Sequence, residues 1–435
     1  MTPPSQAPNR RGFLTSVAAG AAAAAASPLT PTGGRQTAAA AGGVHTGVDE
    51  TLRVGLVGCG GRGTGAVVDA LVADPLAKLV AVGDAFADRT RQCLAVLKDQ
   101  AGVAPRCAVD PDNVFVGFDA YRRVIDAGVD VVLLATPPHL RPEHVEYAVQ
   151  QRKHVFVEKP VATDMPGAAR VAKACGVAAE AGLSVVSGLC WRYDLGVRAT
   201  MEKIADGAIG DVVAIESAYN TGALWHRGDN PAWSRMEHQL RNWLYYTWLS
   251  GDQIVEQAIH SLDKTAWLLG DASPVRATGL GGRQQRTEAK YGNVYDHFTV
   301  FYEYASGQNV YFTCRQQDGC STAVDEVVQG AKGKARVLRH RITGEQKWRY
   351  RGPKPSMYRN EQAEFFASIR RGEPINNGAY MVNSTRIAIM GRMAAYTGRD
   401  QKWDEAIADT TRLGPAEYAW GDAPTPPVAI PGREA

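Results

Sequence analysis

The first half of the chain alternates short apolar runs with stretches in which apolar residues recur every three or four positions. This alternation predicts strands at 52–57, 79–82, 131–135, 154–157 and 183–187, and helices at 64–73, 89–98, 143–150 and 166–181. Apolar runs of this length fit buried strands, and the period between them is that of amphipathic helices. Strands separated by helices indicate βαβ units, and right-handed crossovers then give a doubly wound parallel sheet. The sequence therefore predicts an α/β domain over residues 50–190.

After residue 191, the runs become longer and alternate apolar with polar residues. They predict strands at 211–219, 275–280, 295–304, 309–315 and 322–329, with a tight turn at Ser306-Gly307. Period-two alternation joined by tight turns is typical of antiparallel hairpins. Helices are predicted at 252–269, 361–371 and 382–396. We expect an α+β domain with a mainly antiparallel sheet over residues 191–415, which would bind substrate and form oligomers, and a loose tail over 416–435.

Residues 1–45 follow neither pattern. The pair Arg10-Arg11 precedes Phe13-Leu14 and a weakly apolar, Ala-rich stretch at 17–26. A paired arginine followed by a mild apolar region resembles a twin-arginine export signal, and the alternative is an Ala-rich tail with a chance arginine pair. We interpret 1–45 as signal and linker, which predicts a periplasmic or extracellular protein. No later segment has the roughly 18 apolar residues of a membrane span, so none is expected in the mature protein.

Charge and cysteine content exclude some other classes of protein. The chain has 435 residues and a formal net charge of only +3, which argues against binding nucleic acid by broad phosphate neutralisation. Its seven cysteines include no Cys-x-x-Cys pair, so we predict no metal site.

A glycine-rich turn follows the first predicted strand and opens the first helix. Residues 58–63 read Gly-Cys-Gly-Gly-Arg-Gly, the pattern in which Gly58 forms the turn, Gly60 lets backbone approach a pyrophosphate and Gly63 lets helix and sheet pack closely. Asp84 ends the second strand, where a carboxylate should bind the adenosine ribose and repel a 2′-phosphate. The sequence therefore predicts a Rossmann domain that binds NAD. NADP stays possible, because Arg62 or Arg89 could reach a phosphate.

Two further motifs carry a family resemblance. Val157-Glu158-Lys159-Pro160 and Ala135-Thr136-Pro137-Pro138-His139, taken with the glycine turn, resemble the glucose-fructose oxidoreductase, inositol dehydrogenase and rhizopine-catabolism (Gfo/Idh/MocA) family. The resemblance spans about residues 50–400. It implies a homo-oligomeric enzyme that oxidises or reduces a sugar or cyclitol carbon with NAD(P). We expect cofactor contacts from Thr136, Pro137, His139 and Glu158, and from Arg192 beyond the last strand.

The resemblance also implies catalytic residues. The family's catalytic lysine maps onto Lys159, at a strand's carboxyl edge where an ammonium can stabilise an oxyanion. Its second element maps onto Glu256 and His260, although inositol dehydrogenase relatives have Asp in place of Glu256. The spacing would put both residues on one helix face, with His260 transferring the hydroxyl proton and Glu256 orienting it or holding a sugar hydroxyl. Taken alone, such a pair is more often structural or metal-binding.

Aromatic residues are concentrated between 219 and 248, together with polar and charged ones. Flat rings stack on the apolar faces of sugars, and arginine or asparagine can bind their hydroxyls. We therefore predict substrate contacts from Trp225, Arg241, Asn242 and Tyr245. The alternative is an oligomer contact or the edge of the core, since aromatics and arginine are also interface residues.

These predictions converge on hydride transfer between tightly bound NAD(P) and a hydroxyl carbon of a sugar or cyclitol. No free NAD pool exists outside the cell, so an exported enzyme would need a retained cofactor that is recycled in each turnover. The alternative on the same fold is an NAD-dependent glycosidase, in which transient oxidation permits elimination without net redox change. A third class, a cofactor-binding protein without catalysis, is disfavoured by Lys159 and His260.

Overall fold

The computed structural model describes residues 50–433. The predicted export signal and linker at 1–45 lie outside the described residues. No helix in 50–433 has the length and apolar character needed to cross a membrane. Within the same residues, no group of three or more His, Cys, Asp or Glu side chains could hold a metal ion.

The first sheet contains only parallel strands. In the described part of the chain it has six strands in the order β3-β2-β1-β4-β5-β6. The strands are β1 Arg53–Val57, β2 Lys78–Asp84, β3 Val114–Val116, β4 Val131–Leu134, β5 His154–Val157 and β6 Val185–Ser187. All residues of β4 and β5 are buried, as expected for strands covered on both faces. The strand order reverses between β1 and β4, and ligands of doubly wound sheets bind at the carboxyl ends of strands at such a point.

Helices pack on both faces of this sheet, which confirms the predicted α/β domain. They are α1 Gly61–Ala73, α2 Ala87–Lys98, α3 Ala120–Asp126, α4 Arg141–Gln150 and α5 Met165–Glu180. The sequence pattern did not predict β3 or α3, because each is shorter than two periods of its structure. The predicted helices start one to three residues later than the observed helices.

The second sheet is mainly antiparallel, as predicted. Its order among the described residues is β14-β13-β12-β11-β7-β10-β9-β8-β15, and only the β7–β10 pair is parallel. The strands are β7 Val212–Thr221, β8 Arg276–Gly282, β9 His297–Glu303, β10 Asn309–Gln316, β11 Ala323–Gly330, β12 Gly333–Arg336, β13 Arg341–Gly344, β14 Trp348–Arg349 and β15 Gln401–Lys402. Inward positions on β9 and β10, such as Phe298 and Phe312, are buried, which fits a sheet covered on one face.

The remaining α-helices follow the first sheet in the chain, and most of them lie between strands of the second sheet. They are α6 Leu195–Ala205, α7 Arg235–Arg241, α8 Thr247–Ser250, α9 Gln253–Glu256, α10 Ile259–Leu268, α11 Met357–Arg371, α12 Gly378–Thr397 and α13 Trp403–Ile407. Helix α11 packs against α1, and α12 packs against both α5 and β8. Late segments of the chain therefore cover the first sheet as well as the second.

The prediction of a single helix at 252–269 is wrong. Helix α9 ends at Glu256, and α10 begins at Ile259. Between them the Ala258 amide donates to the Gln253 carbonyl, five residues back, so the regular four-residue pattern is lost. Glu256 and His260 consequently lie on two short helices instead of one helix face.

The prediction of a loose tail after residue 416 is also wrong for the residues described up to 433. The Tyr295 hydroxyl donates to the Ala429 carbonyl at 2.8 Å, and the Gly432 amide donates to the Thr397 carbonyl at 2.9 Å. Further upstream, the Met236 amide donates to the Gly421 carbonyl at 3.0 Å. The segment therefore returns across the molecule and is held at several points.

Candidate active site

The glycine turn lies at the carboxyl end of β1, and its glycines have different roles. Gly58 has φ +96°, and a Cβ there would lie 2.6 Å from the Ala135 carbonyl carbon. A Cβ on Gly63 would lie 1.9 Å from the Gly58 carbonyl oxygen. Packing therefore requires glycine at both positions. A Cβ on Gly60 or Gly61 would meet nothing within 4 Å, so these two residues face open space.

That open space is a cavity of about 520 Å³ at the strand-order reversal. Helix α1 begins at its edge, with no side-chain cap and no acidic residue in its first turn. A helix N-terminus of this kind favours an anion, since its first amide groups point outward and carry partial positive charge. The glycine positions, the open volume and the uncapped helix all fit the pyrophosphate of a dinucleotide.

Asp84 marks the adenosine side of the cavity. Its carboxylate accepts the Cys59 amide at 2.7 Å and the Phe86 amide at 3.0 Å. Burial raises its pKa, and the two amide hydrogen bonds partly offset this effect. Arg89 and Arg227 also line this part of the cavity. A carboxylate and two arginines therefore stand where the ribose would bind, and the choice between NAD and NADP stays open.

The cavity is lined by most, but not all, of the predicted cofactor residues. Those that line it are Gly58, Gly60, Arg62, Gly63, Asp84, Arg89, Thr136 and Pro137. The three others have different surroundings. His139 packs edge-on against Trp248 at 5.0 Å between ring centroids. Glu158 is buried, and Arg192 forms ion pairs with Asp263 and Asp271.

The Arg192 ion pairs give this residue a structural role. Its guanidinium contacts Asp263 on α10 at 2.9 Å, and Asp271 lies just beyond that helix. Its side chain also lies over the Tyr380 ring, 3.9 Å from the centroid. Arg192 thus connects the end of the first sheet to α10 and α12, and its contact with the cofactor stays a prediction.

Arg62 and Glu158 form an ion pair that links the glycine turn to the Glu-Lys-Pro motif. The Arg62 Nε atom lies 2.5 Å from the Glu158 Oε1 atom, and the guanidinium lies over the Tyr358 ring at 4.5 Å. The buried Glu361 lies close enough that Glu158 contributes to raising its pKa well above the usual range, although burial is the larger cause. Arg62 is therefore held by protein groups, although it lines the cavity.

A buried arginine holds the other two motifs together. Arg141, at the start of α4, donates to the Thr136 carbonyl at 2.8 Å and to the Pro160 carbonyl at 2.5 Å. These carbonyls belong to the loops after β4 and β5. Sequence reasoning missed this residue, because an arginine at a helix start gives no signal of burial.

The three predicted catalytic residues come together at the carboxyl end of β5. The Lys159 ammonium donates to the Glu256 carbonyl oxygen at 2.6 Å and lies 3.7 Å from the Glu256 Oε1 atom. Lys159 and Glu256 side chains are only 14% and 13% exposed. The Glu256 Oε2 atom is buried without a hydrogen-bond partner in the structure. None of these three residues lines the cavity described above.

His260 is kept neutral by its surroundings. Burial lowers its pKa well below the ordinary value, and the nearby positive charges of Lys159 and Lys264 lower it further. The ring stacks on Tyr219 at a centroid separation of 6.4 Å. A neutral imidazole beside an ammonium can accept a proton while the ammonium stabilises the resulting oxyanion.

The predicted substrate residues do not surround this catalytic group. Trp225 and Arg241 line the dinucleotide cavity, and Arg241 pairs with Asp88 on α2 at 3.0 Å. Asn242 is buried and accepts the Arg227 amide at 2.8 Å. The Tyr245 hydroxyl donates to carbonyl groups of Leu224 and Trp225, at 3.0 Å each. Asn242 and Tyr245 therefore fix the loop that carries Trp225.

Sequence reasoning missed several residues of the cavity wall. Tyr418 comes from the predicted tail, and Phe86, Phe118 and Arg227 come from loops. The only sequence signal was composition, since aromatic residues and arginine are concentrated in 225–248 and Tyr418 and Trp420 occur in an otherwise polar segment. Composition did not indicate which cavity they would approach.

The doubly wound sheet, the glycine cradle and the lysine beyond β5 define a two-domain dinucleotide-binding protein. The profile of an oxidoreductase family with an NAD-binding Rossmann fold (Gfo/Idh/MocA) matches residues 52–186. The profile of the GFO/IDH/MocA C-terminal domain matches residues 197–336. The two profiles of one family together cover more than half of the chain, which belongs to the Gfo/Idh/MocA oxidoreductase family.

Relatives and a solved structure agree with this assignment. Over 181 residues the chain is 30% identical to 2,7-anhydro-N-acetylneuraminate hydratase of Escherichia coli, a match that covers 41% of this chain and 44% of that protein. It is 28% identical to inositol 2-dehydrogenase 3 of Saccharopolyspora erythraea over 60% of this chain and 65% of that one. The apo scyllo-inositol dehydrogenase structure from Lactobacillus casei matches with a TM-score of 0.63 at 18% identity, covering 82% and 99% of the two chains, which shows the fold alone. The sequence matches span less than two-thirds of the hydratase and of the inositol 2-dehydrogenase.

Proposed function

We propose that this protein transfers a hydride between a retained NAD(P) and a hydroxyl-bearing carbon of a sugar or cyclitol. The observation that carries the proposal is the cluster of Lys159, Glu256 and His260. It lies at the carboxyl edge of the first sheet, and the glycine turn lies at the same edge. The inositol dehydrogenase relative supports a polyhydroxylated substrate. The nicotinamide, when bound, supplies the hydride acceptor or donor.

The protein's own residues manage the proton and the charge. His260 is neutral and can accept the proton of the substrate hydroxyl. The Lys159 ammonium, held by the Glu256 carbonyl and carboxylate, faces the oxygen that becomes negative and favours its charged form. Glu256 keeps the ammonium oriented through its carbonyl oxygen and its carboxylate.

The test begins with the chain from residue 46 onward, purified without added nucleotide. Denaturation should release a nicotinamide nucleotide, and addition of free sugars or cyclitols to the native protein should change the nicotinamide absorbance. Lys159→Ala should lower kcat by about a thousandfold while leaving nucleotide content unchanged, since oxyanion stabilisation of this kind contributes roughly that much. Lys153→Ala, just before the other end of β5, is the matched control. Unaltered kcat in Lys159→Ala would refute the proposal.

A second candidate function uses the same groups without net redox change. The hydratase relative, whose name specifies an anhydro sugar, favours it. Transient oxidation at one sugar carbon would acidify the neighbouring C–H, and His260 could then serve the elimination and the addition of water. Nitrophenyl glycosides and anhydro sugars distinguish the two functions. Cleavage or hydration without net change in nicotinamide absorbance selects the alternative, and sustained absorbance change with free sugars selects the first proposal.

We also propose export by the twin-arginine route, on the sequence of residues 10–26 alone. Fusing residues 1–45 to a folded reporter should deliver the reporter outside the cytoplasm. Arg10→Lys with Arg11→Lys should retain it inside. Equal export by both fusions would contradict the proposal.

We further propose that two copies pair through the open face of the second sheet. An antiparallel sheet with one wet face should carry polar residues there, yet Leu280 is 66% exposed and Phe301 and Tyr311 form an exposed edge-to-face pair. Their neighbours Thr299 and Thr313 are uncharged, and the acidic Glu216 lies beside Tyr311 on β7. Phe301→Lys should halve the mass measured by light scattering, whereas Val177→Lys, an exposed site on α5, should not. A monomeric unaltered chain would contradict the pairing.

A further inference from the structure

The last part of the chain crosses the dinucleotide cavity. We call residues 411–423 the C-terminal strap. At its beginning, the Leu413 amide donates to the Asp164 Oδ2 atom at 2.9 Å, while the Oδ1 atom of that carboxylate caps α5 through the Gly167 amide. Gly414 follows with φ +89°, and a Cβ there would lie 2.8 Å from the Trp248 ring. The strap therefore leaves this anchor in a fixed direction that only glycine adopts easily.

Aromatic residues in the middle of the strap complete the cavity wall. Tyr418 lines the cavity and stacks on Phe118, with ring centroids 5.7 Å apart and 23° between planes. Trp420 lies 4.5 Å from the Phe118 ring and 5.6 Å from the Phe86 ring. Phe86 and Phe118 line the same cavity, in the loops after β2 and β3. The strap thus covers the adenosine side of the cavity with rings packed on rings.

The far end of the strap joins the other wall. The Met236 amide donates to the Gly421 carbonyl at 3.0 Å, and the Gln239 side chain donates to the Ala423 carbonyl. Both belong to α7, whose Leu240 and Arg241 also line the cavity. The strap therefore runs from Asp164 in the first domain to α7 in the second and bridges the two sides of the cavity.

The contacts in the middle of the strap are weaker than those at its ends. Trp420 is 48% exposed although its ring packs on two others. Between Gly414 and Gly421, the described contacts of the strap are ring contacts, which lack the directionality of hydrogen bonds. A segment with few buried contacts opens locally at a small fraction of the cost of global unfolding.

We propose that the C-terminal strap is part of the dinucleotide site and that the dinucleotide leaves only when the strap detaches. This inference rests on the cofactor binding in the proposed function and not on its chemistry. A planar aromatic wall suits the purine of a dinucleotide, and a closed wall slows its exchange. The strap thereby supplies the retention that an exported enzyme without a free nucleotide pool requires.

The test measures release of nucleotide, with catalysis as a separate readout. The chain from residue 46 is loaded with reduced dinucleotide and chased with excess oxidised dinucleotide, and loss of nicotinamide fluorescence gives the dissociation rate. Trp420→Ala and Tyr418→Ala should each raise this rate about tenfold, the usual size of one aromatic contact. Ile430→Ala, exposed and beyond the strap, should leave it within about twofold. Unchanged rates in both strap variants would overturn the proposal.

A second measurement needs no substitution. Trypsin should cut after Arg412 more slowly when the unaltered chain is saturated with dinucleotide, and equal cleavage with and without it would overturn the proposal. Failure of the two ideas can be told apart. Faster dinucleotide release in the variants, with no sugar oxidised by any of the proteins, supports the proposal about the strap and refutes the proposed redox function. Sugar oxidation together with an unchanged rate of dinucleotide release in the variants refutes the proposal about the strap alone.

Discussion

The charge state of His260 follows from the groups around it. Burial favours the neutral imidazole, and the ammonium groups of Lys159 and Lys264 repel a second positive charge. The Lys264 ammonium donates to the His260 carbonyl at 2.9 Å, so this cation is held one turn away on α10. In such surroundings the charged imidazole is disfavoured. His260 therefore accepts a proton only when the oxygen that loses it becomes negative beside it and stabilises the new positive charge.

This environment predicts the pH at which kcat/KM falls on the acid side of its pH profile, the acid limb. A base must be neutral to work, and a lowered pKa keeps His260 neutral below the ordinary histidine value of 6.5. We expect kcat/KM for the free sugar to stay level through this pH and to fall only at distinctly lower pH. Lys264 also pairs with the buried Glu326 at 3.3 Å, so Lys264→Met is combined with Glu326→Gln to leave no unpaired carboxylate. The double variant should move the acid limb to higher pH, because the charge that repels a protonated His260 is lost. An acid limb at or above 6.5 in the unaltered enzyme would contradict this role.

At the residue scale, motifs identified the chemistry but not every contact. The glycines were predicted from the local geometry of a tight turn, whereas the catalytic role of Lys159 is what the family resemblance implies and stays a prediction. The ion pair between Arg192 and Asp263 was not predicted, because the two residues are 71 positions apart in the sequence. Pairing between distant charges leaves no local pattern, so a buried structural arginine and a ligand-binding arginine look alike.

Among the elements, the glycine turn allows a test that separates folding from binding. Gly63→Ala should destabilise the protein by roughly 1–3 kcal/mol or more, because its Cβ would meet the Gly58 carbonyl oxygen. Gly60→Ala should leave stability nearly unchanged, because its backbone is in an ordinary extended conformation and its Cβ meets no atom. It should nevertheless weaken dinucleotide binding about tenfold, because the methyl occupies space that the pyrophosphate needs.

Urea unfolding and dinucleotide titration measure the two effects separately. Gly61→Ala is the comparison for the stability of Gly60→Ala, since a Cβ at either position meets no atom within 4 Å. A Gly60→Ala protein that unfolds at a lower urea concentration but binds the dinucleotide with unchanged affinity would show that the turn does not form a phosphate cradle.

The break between α9 and α10 shows what local patterns miss. Residues 252–269 contain the apolar period of one helix, with no proline or internal glycine to interrupt it. Asp252 begins α9 with φ +70°, and its buried carboxylate accepts the Tyr295 amide at 2.7 Å and the Tyr396 hydroxyl at 2.6 Å. These contacts come from the loop before β9 and from α12, so the start of α9 is fixed by tertiary packing that the sequence pattern does not contain.

At the scale of the whole molecule, the dinucleotide cavity is assembled from three separate parts of the chain. The first domain supplies the cradle, the loop and helix around 225–243 supply one wall, and the C-terminal strap supplies another. The α/β and α+β domains were predictable because their periods are local and long. The aromatic wall was assigned to sugar binding because composition indicates flat ligands without saying which one.

The packing of the strap and the first domain also predicts how the molecule responds to acid. His139 lies between Thr163 and Tyr418, and burial lowers its pKa to about 4, with nearby Asp164 and Glu143 opposing and Arg412 and Arg170 reinforcing this effect. His144 is buried against Tyr121, and burial lowers its pKa to about 3. Both are neutral in the folded protein over a pH range in which the unfolded chain binds protons.

Between pH 6.5 and the folded-state pKa the unfolded state binds more protons, so the free energy of unfolding is largest above 6.5 and falls as pH is lowered. For His139 the loss is about 3 kcal/mol by the time the pH reaches its folded-state pKa, because each pH unit in this range contributes about 1.36 kcal/mol. Urea unfolding at about pH 7 and about pH 5 measures this slope. His139→Gln should make the slope shallower, because glutamine does not titrate, and an equal slope in both proteins would show that His139 is protonated in the folded state.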